Sequence, residues 1–185
     1  MKTVAVFCGS SAPSSTIFRD AAVELGRVLA VAGHTLVYGG SNLGLMGDVS
    51  GGALRAGGRV VAVIPTLFPE EIITSQTVSE TIRVASMAER KERIIAMCDA
   101  FVVLPGGIGT LDELFEVMVS NQLRRFSSRA DEAAKPVVLL NIGGFYDTLV
   151  SQLSLMRDEG LFHGDTGLTV TSTIRDCLAC LEFPL

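Results

Sequence analysis

Apolar and polar positions along this chain switch repeatedly between two periods. Short continuous apolar runs occur at Thr3–Cys8, Thr35–Tyr38, Val60–Ile64, Ala100–Leu104 and Val137–Leu140, and these read as strands buried on both faces. Between them, apolar residues recur at helical spacing. Phe18, Ala21, Ala22, Leu25, Val28, Leu29 and Ala32 form one such stripe, stopped by Gly33. The same pattern predicts a short helix over Asp48–Ala56, a helix from the Ser86-x-x-Glu89 capping box to about Cys98, and a helix over Leu111–Arg124. A helix from about Phe145 to Glu159, ended by Gly160, and a terminal strand and helix at Leu168–Val170 and Thr173–Leu181 complete the series. Pro65–Ser79 reads as a loop with a short turn, Ile82–Val84 as a small strand, and Arg124–Lys135 as an exposed excursion.

Alternating strand and helix units predict an α/β fold: a Rossmann-like, doubly wound parallel sheet with helices on both faces, in one domain over residues 1–185. Three glycine-rich turns, after Cys8, Tyr38 and Leu104, follow strands and so belong at the carboxyl edge of the sheet, where open α/β sheets bind ligands.

Composition narrows the function classes. At 48% hydrophobic and 19% charged, the 185-residue chain suits a globular protein with a substantial core. A net charge of −5 argues against a nucleic-acid surface. The apolar runs are strand-sized, so no membrane span is expected, and the absence of signal-peptide architecture at the start of the chain predicts a cytoplasmic protein. Cys177-x-x-Cys180 has the spacing of a redox or zinc pair, but there is no second pair and the histidines are only His34 and His163. Small core residues are the simpler role, and no metal site is expected.

The chemistry-bearing stretch is Pro105-Gly106-Gly107-Ile108-Gly109-Thr110-Leu111-Asp112-Glu113, at a strand-to-helix junction. Such a junction offers free backbone N–H groups and the positive end of a helix dipole to a phosphate. It is not a dinucleotide fingerprint, because Asp112 stands where the third glycine belongs, and it lacks the lysine of a Walker A loop. Glu113 lies one turn inside the helix, where Thr110-x-x-Glu113 is also readable as a capping box. The preceding helix opens Met87-Ala88-Glu89-Arg90-Lys91, and Arg90 and Lys91 continue the inward face of Ile94, Ile95 and Cys98. Glu92 and Arg93 suit its outer face. Cations in a first turn oppose the helix dipole, which is more reasonable beside an anion.

Met87-x-x-Arg90-Lys91 followed by Pro105-Gly106-Gly107-x-Gly109-Thr110-x-x-Glu113 resembles the LOG family of cytokinin riboside 5′-monophosphate phosphoribohydrolases. Gly9-Ser10-Ser11, Val37-Tyr38-Gly39-Gly40, Gly44-Leu45-Met46-Gly47 and Val63-Ile64-Pro65 fit the same pattern, so the likeness covers nearly the whole chain. Homologues have often been labelled lysine decarboxylases, a label that nothing in this sequence supports. The resemblance implies hydrolysis of the N-glycosidic bond of AMP or an N6-modified nucleoside 5′-monophosphate, to free base and ribose 5-phosphate. It implies Arg90 and Glu113 as the catalytic pair. Substrate contacts follow at Met87, Lys91, Gly106, Gly107 and Ile108, at Gly109, Thr110 and Asp112, at Ser10 and Gly40 in the first two loops, and at Glu71. It also implies a homodimer with helices beside the site packed on the partner, and no cofactor.

The chemistry is coherent in its own terms. Breaking a ribosyl–base bond builds positive charge on the sugar. Glu113 can stabilise that charge and direct a water at the anomeric carbon, while the loop fixes the phosphate. Arg90 has two open roles, holding phosphate or ribose, or orienting Glu113. The alternative is a non-catalytic nucleotide or molybdenum-cofactor carrier of the same fold, which needs the phosphate loop but not the Arg90–Glu113 pair. A nicotinamide-dependent oxidoreductase fits less well, because the fingerprint is incomplete. Arg124–Ala134 is longer and more charged than the short turn family members place there, and Val119–Gln122 lacks an aromatic found in plant members.

Overall fold

The computed structural model describes residues 1–68, 78–126 and 133–181. Seven parallel strands form one sheet in the order β4-β3-β2-β1-β5-β6-β7. They are β1 (Thr3–Phe7), β2 (Thr35–Tyr38), β3 (Val60–Pro65), β4 (Glu80–Val84), β5 (Ala100–Val103), β6 (Val137–Leu140) and β7 (Leu168–Thr171). β1, β2, β3, β5 and β6 are buried along nearly their whole length, as the unbroken apolar runs require, and exposed positions appear only on the edge strands β4 and β7. Successive strands add on one side of β1 until β4, and β5 then returns to its other side. Val4 registers with Ala100 on β5, and Thr3 with Thr35 on β2. The crevice beyond the ends of β1 and β5 is therefore the topological switch point.

Six helices cover the sheet: α1 (Thr16–Val31), α2 (Gly44–Arg55), α3 (Met87–Met97), α4 (Ile108–Leu123), α5 (Asp147–Asp158) and α6 (Ile174–Leu181). Val4, Val6, Cys8, Leu36 and Tyr38 face α1, α2 and α6, and Cys177 is part of that core with Cys180 packed against it. Ala5, Phe7, Val37 and Phe101 face α3, α4 and α5. Both faces are thus covered.

Two helices start earlier than their apolar periodicity suggests. α2 begins at Gly44 rather than Asp48, and α4 at Ile108 rather than Leu111. Glycines in a first turn look like loop, yet here they allow close backbone approach. A Cβ at Gly47 would lie 2.2 Å from the Asn42 carbonyl oxygen, and one at Gly52 2.2 Å from that of Val23 on α1. The end of the expected excursion is also anchored. Lys135 donates through its ammonium to the Ile95 and Cys98 carbonyls at the end of α3, each at 2.7 Å. Among the described residues, no helix is long and apolar enough to cross a membrane.

Candidate active site

Three strand-end loops meet at the switch point. The Gly9 amide donates to the Pro105 carbonyl at 3.2 Å, and the Met46 amide to the Gly9 carbonyl at 3.3 Å, tying together the turns after β1, β2 and β5. Above them opens a cavity of about 770 Å³. Ser10, Gly40, Met87, Gly106, Gly107, Gly109 and Thr110 line it, together with Arg90 and Glu113. Gly40 has a φ of +84°, and a Cβ there would meet Ile64 at 2.3 Å.

Arg90 and Glu113 form an ion pair under this cavity, with Nη1 donating to Oε1 at 2.8 Å and residue exposures of 5% and 4%. Arg90 reaches the site because α3 starts at Ser86, whose hydroxyl accepts the Glu89 amide while the Glu89 carboxylate accepts that of Ala85. The hydroxyl half of the expected capping box forms, and its carboxylate half reaches one residue before the cap. One turn on, Arg90 stands in line with buried Ile94 and turns over the sheet edge. Its Nε donates to the Val63 carbonyl at 3.1 Å. Its other terminal nitrogen lies against Gly39, where a Cβ would be only 2.0 Å away. Burial pushes the Glu113 carboxyl above the ordinary carboxylate range, with Arg90 pulling the other way. The guanidinium is thus held between the Val63 carbonyl and the Glu113 carboxylate.

The second expected capping box does not form. α4 is capped at Gly107, so Thr110 already lies inside the helix, and its amide donates to the Gly107 carbonyl at 3.0 Å. Glu113 is therefore free of any capping duty and pairs with Arg90. The α4 N-terminus has no side-chain cap and no acidic residue in its first turn. Its first N–H groups consequently lack an intrahelical partner beside the cavity.

Other expected contacts fall elsewhere. Lys91 pairs with Asp112 at 3.0 Å and Glu116 at 2.9 Å across α3 and α4, and neither Lys91 nor Asp112 lines the cavity. The hydrogen bonds that its ammonium donates to Glu116 and Asp112 raise the Lys91 pKa. The Ile108 side chain is 84% exposed and points away from the wall. Glu71 lies outside the described residues. The wall also recruits residues with no sequence signal of their own, including Cys8, Phe18, Phe68 and Phe145, together with Met46 and Ile64. Cys8 sits near both members of the ion pair, and burial keeps its thiol protonated. Gly39, Met46 and Ile64 had a cue, since each lies inside a motif of the resemblance. Among the described residues, no group of three metal-ligating side chains gathers.

Residues 46–176 match a family model described as "Possible lysine decarboxylase". A probable cytokinin riboside 5′-monophosphate phosphoribohydrolase of Oryza sativa subsp. japonica is 47% identical over 81% of this chain and 63% of its own. The rice protein named LOG, a cytokinin riboside 5′-monophosphate phosphoribohydrolase, is 41% identical over 98% of this chain and 73% of its own. The chain thus spans about two thirds to three quarters of these relatives. Among solved structures, the molybdenum cofactor binding protein of Rippkaea orientalis shares the fold, with a TM-score of 0.71 and 22% identity over 96% of this chain and 93% of that one. Taken with the site at the β1–β5 crevice, these likenesses show that the chain belongs to the LOG family.

Proposed function

We propose that the protein hydrolyses the N-glycosidic bond of AMP or an N6-modified nucleoside 5′-monophosphate, releasing free base and ribose 5-phosphate. The observation that carries this reading is the buried Arg90–Glu113 pair beside an uncapped helix N-terminus. The 5′-phosphate sits on the N–H groups of Gly107, Ile108 and Gly109. That anchor holds the anomeric carbon near Glu113. As the C1′–N bond lengthens, its electron pair leaves with the base and the sugar becomes oxocarbenium-like. The Glu113 carboxylate stabilises that charge and takes a proton from the attacking water, whose oxygen bonds to C1′. The departing base takes a proton at nitrogen from solvent and Glu113 returns its own to solvent, so that one water is added across the C1′–N bond. Arg90 opposes the effect of burial on the carboxylate and aims it.

Lysine decarboxylation is a poor match. The chain holds three lysines. Lys2 and Lys135 donate to backbone carbonyls, Lys91 lies between two carboxylates, and none of the three lines the cavity. A Schiff-base route has no lysine to begin from.

The same proposal includes a second copy of the chain and a cytoplasmic setting. Phe115, Val119 and Leu123 recur every four residues along the outer side of α4 and are exposed, an apolar stripe suited to self-association. All four cysteines are free, as in a reducing compartment.

The test is base release from AMP and from N6-isopentenyl-AMP by the parent and by Glu113→Gln. The variant should fold and bind nucleotide but lose base release by about 10²-fold or more. Undiminished turnover in the variant removes Glu113 from the mechanism. Nucleotide binding by the parent with no release from either substrate favours the carrier.

A further inference from the structure

The turn between β6 and α5 lies outside the family motif, yet it reaches under the phosphate loop. Asn141 braces this turn from both ends, its Oδ1 accepting the Tyr146 amide and its Nδ2 donating to Asp147, each at 2.7 Å. Gly143 and Gly144 take φ of +60° and +73°. A Cβ on Gly144 would lie 2.6 Å from the Asp147 carboxylate, so the turn accepts only glycine there without rearrangement. Its geometry drives the Tyr146 ring inward, where the residue is 3% exposed. Phe145 packs edge-on against Tyr146 at 4.8 Å and against Phe18 at 5.5 Å, and both phenylalanines line the cavity.

The Tyr146 hydroxyl donates to the Leu104 carbonyl at 2.8 Å. From the other side, the Gly106 backbone approaches the same oxygen. Burial pushes the phenol pKa up, so the hydroxyl remains a donor across the working pH range. The hydroxyl thus ties down the carbonyl before Pro105 and sits beside the backbone after it, where the β5 ladder has ended and proline supplies no N–H. The amides of Gly107, Ile108 and Gly109, at the uncapped start of α4, follow directly on this braced backbone.

We propose that Tyr146 is a positioning residue of the phosphate site: its hydroxyl fixes the Leu104–Gly106 backbone and so aims the N–H groups of Gly107–Gly109 at the anion. The proposal rests on the phosphate reading of that loop. Loss of the hydroxyl loosens a grip that is equal in the ground state and the transition state. It therefore acts on KM and on ligand affinity, and far less on kcat.

The experiment compares the full chain with Tyr146→Phe, which keeps the ring and its packing. Binding of ribose 5-phosphate is measured by calorimetry well below the melting point of both proteins, alongside KM and kcat for AMP. The expected result is about a tenfold weaker ribose 5-phosphate affinity and a matching rise in KM, with kcat changed less than about threefold. Faster amide hydrogen exchange at Gly106 should accompany it. Affinity and KM both within twofold of the parent overturn the proposal, as does a lowered melting temperature with unchanged ligand affinity. The calorimetric arm needs no turnover. An inactive parent that binds ribose 5-phosphate refutes the hydrolase reading while still deciding the role of Tyr146.

Discussion

Gly39 offers a way to move the proposed catalytic pair without changing either member. Its φ lies outside the left-handed region, so alanine is compatible with the backbone and the test is steric. An added Cβ would stand 2.0 Å from an Arg90 terminal nitrogen and 3.1 Å from the Met46 sulfur. An ordinary contact begins near 3.4 Å, so the guanidinium must retreat by roughly 1.4 Å. It is held by hydrogen bonds of 3.1 Å to Val63 and 2.8 Å to Glu113, and a shift of that size breaks or bends at least one. Strain from overpacking costs about 1–3 kcal/mol, a fall of roughly 2–12 °C in Tm for a chain of this size. The effect on catalysis is larger in proportion, because a displacement of about 1 Å in a positioned group can cost 10²-fold in rate. Gly39→Ala should therefore keep a cooperative melt while losing about 10²-fold in kcat for AMP. With Arg90 drawn away, burial of Glu113 is less well opposed, so the acidic limb of the pH–rate profile should also move upward. AMP turnover within twofold of the parent would refute the account of how Arg90 is seated.

Five further outcomes follow from the structure. Because burial raises the Glu113 pKa, the carboxylate that the proposed mechanism uses forms only above the ordinary range, and kcat/KM should rise with pH through that shifted value. The stability sign is opposite: the folded chain binds this proton more tightly than the unfolded one, so its contribution is full below about pH 4.3 and is lost as pH rises through the folded pKa. Thermal melts of the parent against Glu113→Gln across pH read this directly, with the gap moving against the parent as pH rises. Lys91→Ala should lower stability by less than about 1 kcal/mol in urea titrations, because Asp112 and Glu116 are about half exposed. Gly26→Ala puts a Cβ 2.0 Å from the Val49 backbone oxygen on α2, and backbone cannot swing aside as a side chain can; a loss of about 3 kcal/mol, roughly 6–12 °C in Tm, is expected. Leu123→Asp, on the apolar stripe of α4, should shift the protein to monomer in sedimentation while its melt stays cooperative.

The strands were legible because parallel strands buried on both faces leave an unbroken apolar run, and Thr35–Tyr38 and Val137–Leu140 match to the residue. The early starts of α2 and α4 were not. Gly44 and Gly109 have low helix propensity, and what keeps α2 helical is packing: Gly47 sits against the Asn42 carbonyl, and Gly52 against that of Val23. That shift matters for the site, since moving the α4 start by one turn turns Thr110 from a cap into an interior residue and frees Glu113. Tyr146 was illegible for a different reason. Its position depends on two left-handed glycines and an asparagine brace, none of which touches the loop it supports.

Arg90 and Lys91 show how far helix geometry resolves what composition leaves open. Adjacent residues on a helix point about 100° apart, so two neighbouring cations cannot serve the same place. Arg90 is in register with Ile94, which is 1% exposed, and that direction leads under the sheet edge to Val63, Gly39 and Glu113. Lys91 is in register with partly buried Ile95 and faces α4, where Asp112 and Glu116, one turn apart, take its ammonium. The planar guanidinium can hold a carbonyl, a carboxylate and a fixed orientation at once, whereas an ammonium on a flexible stem cannot. Exchanging them in the double variant Arg90→Lys, Lys91→Arg should therefore preserve the interhelical bridge and the fold but lose most base release. Full activity in that double variant would mean that a charge anywhere on this turn is sufficient, and the fork geometry at position 90 would carry no part of the mechanism.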